Sequence, residues 1–132
     1  MKEAKAEGLR WLRQAENDLA YASLGFREEF FAQVCFQAQQ ICEKALKAIH
    51  FGQLQKRVVF GHSLVQLSAE LPLVGDLREE LAVLDQYYIP TRYPNGLPGA
   101  LPYEVYTRKQ AEQALEVSQR VIELARRALS DQ

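Results

Sequence analysis

The chain has 132 residues, of which 48% are apolar and 25% charged, with a formal net charge of -1. That length suits one domain, which we read as 1–132, and such a chain buries roughly two-thirds of its unfolded surface without a disulfide or metal staple. The near-neutral balance excludes a protein that coats nucleic acid by bulk charge, but leaves room for a local basic patch.

The first residues, MKEAKAEGLRW, are polar and carry no apolar h-region. No run approaches the roughly 18 apolar residues of a membrane span. The expectation is a soluble protein with no membrane partner and the cytoplasm as its address. Leu9, Leu12, Ala15, Leu19, Ala22 and Phe26 recur at steps of three and four, which predicts a first helix over about 4–26. Trp11 reads as core or as part of a dimer surface. Arg27-Glu28-Glu29 is a short polar connection.

A second stripe runs through Phe31, Val34, Cys35, Ala38, Ile41, Cys42, Ala45, Ala48 and Ile49, with Phe30, Phe36 and Leu46 off it. A helix apolar on more than one side is the central one, here predicted over 30–51 with Gly52 as its stop. Its remaining face carries Gln40, Glu43, Lys44 and Lys47. That face is either a polar seam where helices meet or, through Lys44 and Lys47, a contact for phosphate. Cys35 and Cys42 lie seven apart on one face, about 10 Å along the axis, too far for a disulfide. They read as buried thiols in a reducing compartment. No His or Asp stands at ligand spacing around them, so no metal is expected. His50 reads as a half-buried core histidine.

Ser63-Leu-Val-Gln66 has the form of a capping box for a short helix reaching about Glu70. Pro72 and Gly75 interrupt, and Asp76-Leu-Arg-Glu79 restarts helix with Leu77, Leu81, Leu84 and Tyr88 inward. Residues 89–103 hold four of the five prolines. Proline removes a backbone donor, so this stretch is predicted to be irregular, an ordered loop packed by its aromatics onto the bundle. Within it, Arg92 beside Tyr93 suits a phosphate with a stacked base, or else an arginine that anchors the loop to a bundle carboxylate. Thr107-Arg-Lys-Gln110 is a third capping box. It opens a last helix whose stripe runs from Ala111 to Leu129. The predicted fold class is all-α, an up-and-down antiparallel bundle of three long and two shorter helices.

Four pieces follow one another in a telling order. They are Trp11-Leu-Arg-Gln-Ala15-Glu-Asn-Asp-Leu19, Cys35-Phe-Gln-Ala-Gln-Gln40-Ile-Cys-Glu-Lys44-Ala-Leu-Lys-Ala48, Gly61-His-Ser-Leu64 and Tyr88-Ile-Pro-Thr-Arg-Tyr-Pro94. Their order and distances resemble the HEPN domain family over nearly the whole chain. The resemblance implies a helical bundle that commonly forms a homodimer and contacts a nucleotide or RNA; no cofactor is expected. It also implies an operon partner, a minimal nucleotidyltransferase. In several such pairs the HEPN member is a ribonuclease toxin and the nucleotidyltransferase its antitoxin, while other members bind without catalysis.

Catalytic members of that family resemble one another in an arginine followed, after four to six residues, by a histidine. Arg57-Val-Val-Phe-Gly-His62 fits. Metal-independent cleavage of RNA uses the 2′-hydroxyl as nucleophile, a histidine to pass protons near neutral pH and an arginine to hold the crowded phosphate charge. The copy departs from the catalytic pattern in Val58, where a polar residue is usual, and in its mid-chain position. So short a motif also recurs by chance. In the alternative, His62 is the histidine of the helix entry, stabilising the loop or binding a ligand without catalysis. Three functions therefore stay open at this point: a nucleotide- or RNA-binding module, a metal-independent ribonuclease using Arg57 and His62, and a structural partner.

Overall fold

The computed structural model describes residues 2–130, so the two ends of the 1–132 domain lie outside the described residues. Six α-helices follow in order: α1 (Lys2–Arg27), α2 (Phe31–Gly52), α3 (Leu64–Ser68), α4 (Leu77–Asp85), α5 (Pro102–Val105) and α6 (Arg108–Ser130). A 3₁₀ turn spans Pro94–Gly96, and no strand occurs among the described residues.

The α1–α2 turn is built on Glu29, a non-glycine residue at φ 65°. Its N–H donates to the Phe26 carbonyl at 3.1 Å, and the Phe30 N–H donates to that of Gly25 at 2.9 Å. These are the two bonds of a Schellman ending, which satisfies the last carbonyls of α1 and turns the chain back. Antiparallel packing follows. Gly25 near the end of α1 meets Val34 near the start of α2, and Gly8 near the start of α1 meets Gly52 at the end of α2.

Helix α6 runs alongside α2 in the same direction. Its first residue, Arg108, lies 5.0 Å from the Phe31 ring, and Leu129 near its end packs against Gly52. The α3–α4 segment makes the return. Arg120 binds Glu80 at 2.8 Å, whereas Tyr87 meets Tyr106 edge-on, so α4 runs opposite to α6. The result is the up-and-down antiparallel bundle, with α2 in its centre. Ile41, Leu46 and Ile49 are almost wholly buried there, each contributing about 1.5–3 kcal/mol of hydrophobic stabilisation.

Three local expectations change. Gly52 lies inside α2, which continues in right-handed geometry to Gln53. Its lack of a side chain serves close packing, since a Cβ there would stand 2.0 Å from Leu129 Cδ2. The 89–103 stretch is only partly irregular, because a 3₁₀ turn begins at Pro94 and α5 begins at Pro102. Proline at a first helical position gives up only an N–H that would be unpaired anyway, and its fixed φ favours the turn. At α4 the Asp76 side chain makes no capping bond, and it pairs instead with Arg120 at 3.7 Å.

Candidate functional site

The polar face of α2 is a seam. Glu43 and Lys47 are both buried, and the Lys47 ammonium donates to Glu43 Oε2 at 2.9 Å. Lys47 also lies 5.6 Å from the centre of the Trp11 ring, which stacks on Phe51. Lys44 ends on the Asp18 carboxylate of α1. Both predicted phosphate lysines therefore already have carboxylate partners.

His62 sits on the loop leading into α3, and its side chain is 62% exposed. Its Nδ1 lies 3.1 Å and 3.2 Å from the two oxygens of Glu43. A carboxylate offers acceptors, so Nδ1 carries a proton, and in the neutral ring the lone pair is on Nε2. The ring stacks on Tyr88, with centroids 5.4 Å apart. The His62 carbonyl accepts from the buried Gln39 amide at 2.8 Å.

Asp85, at the last position of α4, fixes the next residues. Its carboxylate accepts from the Leu64 N–H at 2.8 Å, the Val65 N–H at 3.1 Å and the Ser63 hydroxyl at 3.1 Å. Ser63 in turn accepts from the Gln66 N–H at 3.2 Å, as predicted, whereas the carboxylate of Asp85, rather than the Gln66 amide, completes the cap. The backbone carrying His62 is thus held from α2 and α4 together.

Arg92 reaches the same place from the proline-rich loop. Its guanidinium lies 4.4 Å from the Phe36 ring centre, 4.8 Å from Tyr88 and 5.2 Å from Tyr93. Nε–H donates to the Tyr88 carbonyl at 2.8 Å. A backbone carbonyl and three rings therefore anchor this arginine, in place of a bundle carboxylate. Its two terminal amino groups have no partner among the described residues. Tyr93 keeps half its surface exposed.

Tyr88 is what joins the candidates, since His62 and Arg92 both lie against its ring. Arg57 is exposed, forms no hydrogen bond or ion pair with another described residue, and no contact brings it to His62. The sequence reading missed Glu43 as the partner of His62, and Asp85 as the clasp on its loop. It also missed Arg13, an exposed arginine that lines an open cleft of about 540 Å³ with Arg10, Trp11, Gln14 and Lys44. Among the described residues no three His, Cys, Asp or Glu side chains gather as a metal site would require. No described helix is long and apolar enough to cross a membrane.

With this geometry in place, likeness to known proteins adds a second line. Residues 9–128 match the HEPN domain. The chain is 38% identical to TT1696 from Thermus thermophilus, whose crystal structure superposes with a TM-score of 0.84 over 92% of this chain and 97% of that one. The crystal structure of ST0689, described as an archaeal HEPN homologue, is 30% identical at a TM-score of 0.77, over 92% and 97% of the two chains. "Putative toxin MJ1304" of Methanocaldococcus jannaschii is 26% identical over 132 residues, covering 92% of this chain and 87% of that protein.

Proposed function

The chain belongs to the HEPN domain family, and from that membership we propose that it binds the phosphates of a nucleotide or RNA at the Arg92–His62 cluster, as the HEPN member of a toxin-antitoxin type pair. The observation that carries this is the state of Arg92. Its guanidinium is held against Phe36 and Tyr88 while its terminal amino groups stay unpaired. A planar fork fixed in this way is pre-organised for the bidentate contact that phosphate offers. The exposed Tyr93 ring beside it suits a stacked base.

On this reading Glu43 orients His62, and Lys47 balances the buried carboxylate. Lys44 and Lys47 then act on phosphate through their field rather than by contact. The toxin side rests on the family and on the name of the relative MJ1304. The nucleotidyltransferase partner rests on the family resemblance alone. A homodimer fits the apolar cleft of about 350 Å³ between the end of α1 and the start of α2. Tyr21, Leu24 and Phe30 around it are each about half exposed or more, and surplus apolar surface of this kind marks an interface.

The ribonuclease reading has its own observation, the Glu43–His62 hydrogen bond. Such a pair leaves Nε2 free to take the 2′-hydroxyl proton as that oxygen attacks the adjacent phosphorus. A 2′,3′-cyclic phosphate forms as the bond from phosphorus to the 5′-oxygen breaks, and that oxygen takes its proton from water. Arg92 would meet the charge on the phosphate. Arg57 enters this reading by motif spacing alone.

The test is titration of fluorescently labelled RNA in EDTA, read by anisotropy, with a gel run on each sample. Wild type should bind, and Arg92→Ala should weaken binding about ten- to a hundredfold, the worth of a charge-assisted hydrogen bond of about 1.5–3 kcal/mol. His62→Ala should weaken it less. Cleavage that appears with wild type and vanishes in His62→Ala establishes the enzyme reading. Unchanged affinity in both folded variants overturns the cluster as the site.

A further inference from the structure

The corner where α2 gives way to α3 holds a second feature that the phosphate reading does not use. His50, buried near the end of α2, donates its Nε2–H to the Leu67 carbonyl at 2.6 Å. In the neutral ring the lone pair is then on Nδ1. That nitrogen is buried and has no hydrogen-bond partner. Glu70 Oε1 lies 3.6 Å away, beyond hydrogen-bond distance and itself an acceptor. Lys56 occupies that same Oε1. A buried acceptor without a donor is costly and uncommon.

His50 and Glu70 line a recess of about 200 Å³ together with Val58, Phe60, Gly61 and Gln66. A liquid water occupies about 30 Å³, so one structural water does not fill the space. Phe60 is 86% exposed, with no ring partner among the described residues. An aromatic this exposed beside a polar recess has the make-up of a stacking wall. The loop alternates: Gly61 and Ser63 line the recess, while His62 between them faces Tyr88.

We propose that this recess is a base pocket selective for guanine, with the N1–H and 2-amino group donating to Glu70 and His50 Nδ1 and Phe60 covering the ring. Among the bases, guanine alone presents two adjacent donors on its pairing edge. Adenine and cytosine would turn a ring-nitrogen lone pair toward these acceptors, and uracil would turn its carbonyls. The inference rests on the nucleotide reading above, because the base would belong to an RNA whose phosphates reach Arg92 and His62, about 21 Å away along α2 as Phe36 is from His50.

The test is calorimetric titration of the full chain with guanosine, inosine, adenosine and a short RNA that holds one guanine. Guanosine should bind at least tenfold tighter than adenosine, with inosine, which lacks the 2-amino group, between them. Glu70→Gln should abolish most of that preference, and Phe60→Ala should weaken guanosine and adenosine alike. Both side chains are exposed, so circular dichroism should show both variants folded. Equal binding of guanosine and adenosine, a preference that survives Glu70→Gln, or no nucleoside binding at all overturns the pocket. The RNA separates the two proposals. If it binds no tighter than guanosine while the guanine preference holds, the phosphate site fails and the pocket stands. If RNA affinity depends on Arg92 without any guanine preference, the reverse is true.

Discussion

Glu43 shows how one side chain changes the meaning of its neighbours. On its own, the α2 pattern makes Glu43, Lys44 and Lys47 a charged stripe. In the fold Glu43 and Lys47 are buried, and the carboxylate turns His62 so that Nε2 faces outward. Removing one partner of a buried ion pair leaves an uncompensated charge, so the seam is as much a part of the fold as of the site. The thiols give a prediction at the same scale. Burial pushes Cys35 from an ordinary value of 9.0 to about 12 and pushes Cys42 up as well, with the Asp85 charge adding to the latter. Above pH 9 the unfolded chain loses thiol protons that the folded chain keeps, so the unfolded state gains and stability falls as pH rises. Urea midpoints measured from pH 8 to 10.5 should decline, and less steeply in Cys35→Ala. A flat profile in wild type would contradict the buried, protonated thiols.

At the scale of elements, stripes and caps were readable because they are local. The α1, α2 and α6 stripes lie where their spacing placed them. Thr107 and Gln110 exchange the bonds of a capping box at 3.2 Å and 2.9 Å. What escaped the sequence is what crosses between elements. Asp85 caps α3 from 21 residues away, and Glu43 reaches His62 across 19. No spacing rule encodes either pairing, because the intervening loop sets it. Asp85→Ala should therefore destabilise the protein by about 1.5–3 kcal/mol, the range for hydrogen bonds to a charged acceptor. It should also weaken RNA binding, because the His62 loop loses its clasp. Chemical denaturation checks the first effect, and a loss under about 0.5 kcal/mol, the level of an ordinary surface change, would show that the cap carries little. The prolines misled in the other direction, since Pro94 and Pro102 open helical turns by occupying first positions.

Across the whole molecule, the bundle owes its tightness to a glycine contact. A Cβ on Gly8 would stand 2.7 Å from the Gly52 Cα and 2.8 Å from the Ala48 carbonyl oxygen, so α1 and α2 touch backbone to backbone at that end. At the other end the helices leave the apolar cleft around Tyr21, Leu24 and Phe30. If that cleft is a twofold interface, sedimentation at tens of micromolar should give a dimer, since this exceeds the roughly 1 μM Kd of a weak one. Leu24→Glu should shift it to monomer. A wild-type monomer at that concentration would refute the dimer. The all-helical class and the family were legible in the sequence because both rest on motifs within single segments. That Arg92 and His62 both lie against Tyr88 was not, because this depends on how α4 folds back on α2.

The central claim is that phosphate arrives at Arg92 and His62. Its most direct test is an NMR titration of the side-chain Arg92 Nε–H and His62 ring signals with a short RNA in EDTA. Both signals should move together and saturate with RNA concentration, while Arg57 Nε–H stays nearly still. Shifts at Arg57 with none at Arg92 and His62 would contradict it.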